Sequence, residues 1–183
     1  MHIAEKKKYT ADDYMMLEEG APFQLINYDL IMSPSPTPIH QNILLEFILI
    51  ITSYLKNTNN QGYVGIAPLD VRFDEGNILQ PDILYISAER KAELIKDRIE
   101  GAPDLVIEIL SPSTAYYDMR QKIKIYQKYG VKEYIIVDPI EQYVELYALN
   151  NGVYKLNQTI QKTETLNSVL LPGLSFDLKK IFK

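Results

Sequence analysis

Apolar residues follow two kinds of pattern along the chain, and both occur between residues 103 and 139. The segment LVIEIL, residues 105–110, is apolar at both alternating positions except at Glu108, which is typical of a strand covered on both faces of a sheet. The segment SPSTAYYDMRQKIKIYQKYG then shows helical spacing and ends at Gly130, and KEYIIVDP is a second apolar strand. This order predicts a right-handed strand-helix-strand unit with two parallel strands.

The flanking segments predict further helices and hairpins. Thr10 is placed to cap a short helix and Gly20 to end it, and apolar runs on both sides of Asn27 and Tyr28 predict a hairpin. Apolar residues recur at helical spacing over residues 39–56. The alternating segment YVGIAPLDVRFDEGNILQPDILYIS predicts paired strands with a turn at residues 74–77. Residues 89–102 predict a short helix and a loop.

Together these elements predict an α/β fold in which a mixed β-sheet is flanked by helices near residues 39–56 and 115–129, with additional antiparallel hairpins. A chain of 183 residues is long enough to bury one hydrophobic core. We therefore expect a single domain over residues 1–183. Its core should span about residues 37–140, with an N-terminal helix and hairpin at 10–33 and a C-terminal meander at 141–183.

Composition and charge narrow the classes of function. The absence of Cys excludes disulfides and thiolate metal sites. A net charge of −5 counts against a protein that coats nucleic acid through bulk charge, although it allows a local basic groove. The first 20 residues lack the apolar core of a signal peptide, and the most apolar run, residues 43–51, contains Glu46 and is too short for a bilayer of roughly 30 Å. We expect a cytoplasmic protein with no membrane partner.

Glu108 requires a partner if its strand is buried, because an uncompensated carboxylate in the interior costs several kcal/mol. Asp82 opens the apolar segment DILYIS directly after Pro81, and it is the predicted neighbour on an adjacent strand. Two carboxylates repel each other unless a cation lies between them, and oxygen ligands favour Mg²⁺ or Mn²⁺ over Zn²⁺. The alternative is that Glu108 lies near a strand end and pairs with a Lys or Arg.

Lys122 is the third candidate because of its position on the predicted helix. At about 100° per residue, an apolar arc runs along this helix and consists of Ile125, Tyr129, Tyr126, Met119 and Ile123. Lys122 falls inside the arc, whereas Lys124 and Lys128 fall on the opposite, solvated side. A lysine directed at two carboxylates can orient or deprotonate a water and balance charge during phosphoryl transfer. The alternative is a side chain whose stem runs along the core and whose ammonium stays in water.

An Asp at the start of one strand, a Glu in the next and a Lys resemble the design of the PD-(D/E)XK nuclease superfamily. Considered whole, the chain resembles the bacterial Uma-two family, a branch of that superfamily classed with restriction endonucleases, in which the helix supplies the lysine. The resemblance covers residues 10–178 and rests on MSPSPTPIHQ, LQPDILYIS, GAPDLVIEILSPST, DMRQKIKIYQKYGVKEYIIVDP and LPGLSFDL, in that order.

This resemblance implies a restriction-endonuclease-like fold and a metal-dependent endonuclease that hydrolyses the phosphodiester bonds of DNA. Asp82 and Glu108 would hold Mg²⁺ or Mn²⁺, and Lys122 would position the attacking water. DNA is the implied substrate, and the resemblance leaves a homodimer open.

Two departures from the superfamily pattern affect these expectations. The usual lysine two residues after Glu108 is Leu110 here, so Lys122 would have to replace it. Family members usually carry ELIDGEL where this chain has QLINYDL, so Gln24 replaces an acid. If that acid helps to hold metal, the metal affinity of this chain is weaker. The alternative function is a catalytically degenerate nuclease-fold domain that binds nucleic acid or protein.

Three other polar positions have a structural interpretation beside a functional one. His40, in the family-like HQ, is either a proton carrier or an ordinary hydrogen-bonded residue at a helix start. Asp104 is expected to be a cap or a surface acid. The hydroxyls of Ser111, Ser113 and Thr114 are expected to cap the following helix, with contact to a phosphate as the alternative.

Overall fold

Strands and short helices alternate through the part of the chain that the computed structural model describes, residues 7–183. The strands are β1 (Phe23–Ile26), β2 (Asp29–Met32), β3 (Tyr63–Ile66), β4 (Val71–Asp74), β5 (Asn77–Leu79), β6 (Ile83–Ile86), β7 (Ile99–Glu100), β8 (Leu105–Ile109), β9 (Glu133–Asp138), β10 (Tyr143–Asn150), β11 (Val153–Gln161), β12 (Thr165–Asn167) and β13 (Ser175–Asp177). The helices are α1 (Ala11–Met15), α2 (Pro38–Asn57), α3 (Lys91–Leu94), α4 (Ala115–Tyr117), α5 (Ile123–Tyr129) and α6 (Leu178–Ile181). The expectation about a signal peptide rests partly on residues 1–6, which lie outside the described residues.

A six-stranded mixed sheet carries the segments that the sequence singled out. Its strand order is β11-β10-β9-β8-β6-β3, and β12 and β13 form a separate two-stranded sheet. Strands β8 and β9 pair in parallel, with Ile107 opposite Ile135, and β6 pairs with β8 in antiparallel fashion. The helical segment of residues 115–129 connects the two parallel strands. The predicted α/β fold and the parallel pair are therefore confirmed.

The two faces of this sheet are covered by different layers, so β8 is buried on both sides. Leu105, Ile107 and Ile109 pack in a cluster that includes residues of α2 and α6. Val106 packs in a second cluster, with residues of α5 and of the five-stranded sheet. Because side chains alternate along a strand, Glu108 faces the second layer together with Val106.

The second layer is built on a five-stranded sheet of order β2-β1-β5-β4-β7. The predicted hairpin is formed by β1 and β2, and its two turn residues Asn27 and Tyr28 have φ angles of 51° and 67°, as a two-residue turn of the I′ type requires. Strand β7 was not predicted. It has only two residues and pairs in parallel with β4, so it is too short to show an alternating pattern.

Helix α1 ends five residues before the predicted stop at Gly20. Its start agrees with the sequence, because Thr10 and Asp13 form a reciprocal capping box. After Tyr14 the chain has little left to bury, and Met16 is 85% exposed. Gly20 instead has a φ of 79° in the turn before β1. The early end follows from the lack of an apolar face to continue the helix.

Helix α2 is longer than the apolar run that the sequence emphasised. It has 20 residues, and among residues 7–183 it is the one helix long and apolar enough, by length and composition, to cross a membrane. In the most apolar 18-residue stretch of this helix, 33% of the residues are buried inside the protein. Such a helix alone is weak evidence for a span, since core helices meet the same criterion. The run of residues 43–51, which alone is too short for a bilayer, thus lies within a longer helix that meets this criterion.

Asp104 is not a surface acid. It is fully buried and accepts hydrogen bonds from Arg90 at 2.9 Å and from the backbone N–H of Ser87 at 2.8 Å, and Lys132 pairs with it at 2.8 Å. Burial alone would raise the pKa of its carboxyl, but these donors hold the pKa below its usual value. Arg90 and Lys132 come from distant segments, so no local sequence pattern reveals that Asp104 is buried.

The packing of α2 predicts a large difference between two positions on the same helix. Phe47 is fully buried, with its ring centroid 4.9 Å from that of Phe176, whereas Leu45 is 53% exposed. We expect Phe47→Ala to lower the free energy of unfolding by about 3–5 kcal/mol because it leaves a cavity. Leu45→Ala should lower it by less than about 1 kcal/mol. Urea denaturation followed by circular dichroism measures both, and equal losses would contradict this packing.

Candidate active site

The centre of the candidate site is the carboxyl group of Glu108 on β8. The residue is 2% exposed and faces the helical segment 115–129. Its Oε1 accepts a hydrogen bond from Lys122 Nζ at 3.0 Å and another from the hydroxyl of Tyr126 at 2.6 Å. The structure therefore supplies the partners that a buried carboxyl group needs.

Asp82 lies immediately before β6, and β6 is the strand next to β8, which carries Glu108. Because Ile83 is paired with Ile107 in antiparallel register, Asp82 falls opposite Glu108. Asp82 Oδ2 accepts a hydrogen bond from the backbone N–H of Ile109 at 2.7 Å, and His40 Nε2 lies 3.2 Å from the same oxygen. The two acids thus lie on adjacent strands, as expected, and His40 at the start of α2 holds one of them.

Lys122 contacts a second acid that the sequence analysis missed. Its Nζ lies 2.8 Å from Asp118 Oδ1, and both residues are almost fully buried. Asp118, Lys122 and Tyr126 follow one another at intervals of four residues, which places them on the same side of a helix. That spacing was available in the sequence as a signal for Asp118 and for the Tyr126 hydroxyl.

The helix itself departs from regular α geometry at this point. Residues Asp118–Lys122 form a π-helical segment between α4 and α5. A π turn contains an extra residue, so positions up to and within it rotate relative to those after it. This explains why Met119, predicted on the apolar arc, is 39% exposed, while Ile125 and Tyr126 are buried as predicted.

The protonation of the site is set by burial and by an excess of acids. Burial raises the pKa of Glu108 to about 8; Lys122 and Tyr126 oppose this shift, while the negative charges of Asp118 and Asp82 add to it. Burial would lower the pKa of Lys122, but Asp118 and Glu108 raise it above its ordinary value. Lys122 is therefore an ammonium ion at neutral pH, which makes it a hydrogen-bond donor and not a base.

The two ring nitrogens of His40 differ in their hydrogen bonding. Burial lowers the pKa of His40, but the hydrogen bond and the negative charge of Asp82 outweigh burial and raise it. Its Nδ1 is buried and has no hydrogen-bond partner among residues 7–183. The contact with Asp82 therefore fixes how the ring is oriented.

The donor set fits a hard cation that keeps much of its own water. Within residues 7–183, no group of three or more His, Asp or Glu side chains is arranged to surround a metal ion. Asp82 and Glu108 supply two neighbouring carboxylates, and Mg²⁺ is commonly bound through one or two carboxylates with several waters. The excess of acids around one ammonium also favours an additional positive charge. These residues fit Mg²⁺ or Mn²⁺ and do not fit a metal that needs a full set of protein ligands.

Gln24 and Leu110 take structural positions. Gln24 is buried on β1, where its Nε2 donates to Ser33 Oγ at 2.8 Å and its Oε1 accepts from the backbone N–H of Gln80 at 2.9 Å. It makes no hydrogen bond to Asp82, Glu108 or Lys122. Leu110 is buried in the apolar cluster of the second layer. Neither residue adds a charge to the site.

The hydroxyls before α4 do not cap it as expected. Thr114 occupies the N-cap position but makes no side-chain capping bond. Ser111 Oγ lies 2.8 Å from Thr114 Oγ1 and 3.1 Å from Ser113 Oγ, and Thr114 Oγ1 lies 3.3 Å from Asp118 Oδ2. These hydroxyls therefore bond one another and support Asp118.

Comparison with known proteins relates this geometry to a family. A family model described as "Uma2: Putative restriction endonuclease" matches residues 11–179, which is most of the chain. This agrees with the resemblance inferred from the sequence motifs.

Two individual proteins are similar over most of their length. An uncharacterized protein of Synechocystis sp. strain PCC 6803, sll1609, is 25% identical over 150 residues, which cover 80% of this chain and 84% of that protein. The crystal structure of "a putative nuclease belonging to DUF820" from Anabaena variabilis ATCC 29413 superposes with a TM-score of 0.77. It is 23% identical, and the match covers 94% of this chain and 97% of that one, so it shows a shared fold.

The raised pKa of Glu108 predicts a pH dependence of stability in the absence of metal. The ordinary pKa of the group is 4.5 and its folded value is about 8, so between these values the unfolded chain loses the proton first. Stability contributed by this group is present below pH 4.5 and is lost as the pH rises toward 8. We expect Glu108→Gln to gain stability relative to wild type as the pH increases from 5 to 8.

Urea denaturation in EDTA at several pH values measures this difference. Glu141→Gln, at an exposed position on the turn before β10, is the matched control and should follow the wild-type profile. Parallel profiles for wild type and Glu108→Gln would show that the carboxyl group titrates normally in the folded protein.

Proposed function

Because the chain belongs to the Uma2 family of restriction endonuclease-like proteins, we propose that it is a metal-dependent endonuclease that hydrolyses phosphodiester bonds of DNA. The observation that carries the proposal is the contact of 3.0 Å between Lys122 Nζ and Glu108, on the strand next to Asp82. An acid pair and a lysine at one place in a nuclease-like fold are the groups that phosphodiester hydrolysis needs.

In this proposal, Asp82 and Glu108 hold Mg²⁺ or Mn²⁺. When bound, such an ion polarises a phosphoryl oxygen and lowers the pKa of a bound water. His40 and the backbone N–H of Ile109 hold one oxygen of Asp82, so the orientation of that carboxyl group is determined before a ligand arrives. The raised pKa of Glu108 means that its proton must leave before it can serve as a ligand.

Lys122 acts in the proposal as an electrostatic and positioning group. Asp118 keeps it charged, so it donates hydrogen bonds to the attacking water or to the negative charge that develops on the phosphate. Of the two roles considered from the sequence, orientation of the water is therefore preferred over its deprotonation. Tyr126 and Asp118 fix the position of Lys122 and Glu108.

A second function, a non-cleaving domain that binds nucleic acid or protein, is favoured by Gln24. Both polar groups of the Gln24 side chain are engaged with Ser33 and Gln80, so the position that carries an acid in typical relatives serves the packing of β1 here. Loss of one acid would weaken metal binding without changing the fold. The two functions differ in whether wild-type protein cleaves DNA at all.

Several properties remain predictions. A single endonuclease-like domain over the whole chain, a cytoplasmic location and a homodimer are all compatible with the proposed function. Limited proteolysis tests the first, fractionation of cells the second, and light scattering the third.

Lys122→Ala should lower the rate of DNA cleavage by about 10²-fold or more, the range typical of one electrostatic or acid-base group. Removal of the ammonium leaves Asp118 and Glu108 buried without its charge, so the variant should be less stable than wild type, and rates are compared under conditions in which both proteins are folded. Cleavage of plasmid and linear DNA in Mg²⁺ or Mn²⁺ gives the rate, and circular dichroism reports the fold.

Lys155→Ala is the control for this experiment. Its side chain is exposed on β11, and the change removes the same charge far from Glu108 along the sheet. Full activity of Lys122→Ala, or equal losses in both variants, would refute the role of Lys122. Wild-type protein that is inert on a broad set of DNA substrates would favour the binding function.

Metal binding provides an independent test of the acids. Wild type should bind Mn²⁺ with modest affinity, more tightly at pH 8 than at pH 6, because binding displaces the proton of Glu108. The double variant Asp82→Asn, Glu108→Gln should lose this binding. Isothermal titration calorimetry measures both proteins, and equal affinities would remove these two residues from any metal site.

A further inference from the structure

The helix that carries Lys122 has a second set of cationic side chains on its exposed side. We call Arg120, Lys124 and Lys128 the cationic row; all three are exposed and recur every four residues. Lys128 lies 3.5 Å from Asp74. Arg120 and Lys124 form no ion pair or hydrogen bond with any residue in the range 7–183. Two positive charges are thus left uncompensated in a chain whose net charge is −5.

The cationic row borders a surface depression rather than a flat surface. The depression has a volume of about 200 Å³, and its walls also include Asn27, Asn77 and Gln121. It therefore has room for several waters at ~30 Å³ each. Asn27 Nδ2 donates to Gln121 Oε1 at 3.1 Å, which connects the β1–β2 turn to the helix. Two separate elements thus form one concave, polar surface.

The chemistry of this surface suits an anion. Arg and Lys side chains are the usual partners of phosphate, and amide side chains add hydrogen-bond donors. The nearby carboxylate of Asp74 accepts hydrogen bonds from Asn77 and from the backbone N–H of Gly76, and its negative charge faces Lys128 at 3.5 Å. Lys8 extends the positive surface, with its Nζ 5.8 Å from the ring of Tyr28 in the same turn.

We propose that the cationic row and its depression bind the phosphate backbone of DNA beside the acidic site. The choice of DNA rests on the proposed function. Lys122 points inward from the same helix, so the two sites are separated by about the helix diameter of 10–12 Å. That distance corresponds to about three base steps at 3.4 Å each. A DNA strand that runs over the row can therefore place another phosphate, a few steps away, near Asp82, whose side chain is 17% exposed at the edge of the acidic site.

The test measures binding, not cleavage. A short fluorescein-labelled DNA duplex of mixed sequence is titrated with protein in EDTA at several salt concentrations, and fluorescence anisotropy gives the affinity. Arg120→Gln, Lys124→Gln should weaken binding on the order of tenfold and reduce the slope of log affinity against log salt by about 2, since each phosphate contact contributes about 0.9.

The matched control is Lys155→Gln, Lys179→Gln. Both lysines are exposed and their ammonium groups have no partner within the described residues, so the change in net charge is the same. This control should bind DNA as wild type does. Equal losses in the two double variants, unchanged binding in the Arg120 and Lys124 variant, or no DNA binding by wild type would each overturn the inference.

Two further results distinguish DNA binding at the row from cleavage at the acids and from capture of free phosphate. Wild-type protein that binds the duplex through the row but cleaves no DNA would refute the proposed function and leave the inference standing. Calorimetry with inorganic phosphate distinguishes a site for the free ion from a site for the DNA backbone. Binding of inorganic phosphate by wild type, lost in Arg120→Gln, Lys124→Gln, together with unchanged duplex affinity in that variant would overturn the DNA assignment.

Discussion

The structure of the site depends on the burial of one carboxyl group, that of Glu108, in a strand covered on both faces. A buried carboxyl group needs hydrogen-bond donors and a compensating charge. Lys122 and Tyr126 supply them from the helix that packs on that face of the sheet, and Asp118 keeps Lys122 charged. The burial of Glu108 therefore determines which helix residues must be polar. It also raises the pKa of Glu108, so a cation that binds this carboxyl group must displace its proton.

The connection between β8 and β9 explains how one helix serves this purpose. A right-handed crossover between parallel neighbours must return over one face of the sheet, and here it returns over the face toward which Glu108 points. The π-helical segment lies at Asp118–Lys122, where the acid and the lysine lie side by side. Such segments are often found at functional sites. The opposite side of the same helix is exposed and carries Arg120 and Lys124, which have no ion-pair or hydrogen-bond partner among residues 7–183.

Gln24 shows how a fold can persist while the charge of its site changes. An acid at this position would need a cation or hydrogen-bond donors of its own. The amide of Gln24 instead forms hydrogen bonds with Ser33 and Gln80. Gln80 lies two residues before Asp82, so the hydrogen bond still supports the segment that leads into the site. Gln24 therefore contributes hydrogen bonds to the packing of β1 and no negative charge to the site.

The sequence by itself determined the features that depend on local periodicity and composition. The parallel strands, the extent of α2, the turn at Asn27 and Tyr28, and the burial of both Glu108 and Lys122 all follow from alternating or helical patterns within short segments. The tertiary structure alone decided which distant groups meet. It buried Asp104 between Arg90 and Lys132, ended α1 where no apolar face continued, paired the two residues of β7 with β4, and engaged Gln24 with Ser33 and Gln80. Such contacts join residues far apart in the chain, and their energies depend on burial that no local pattern encodes.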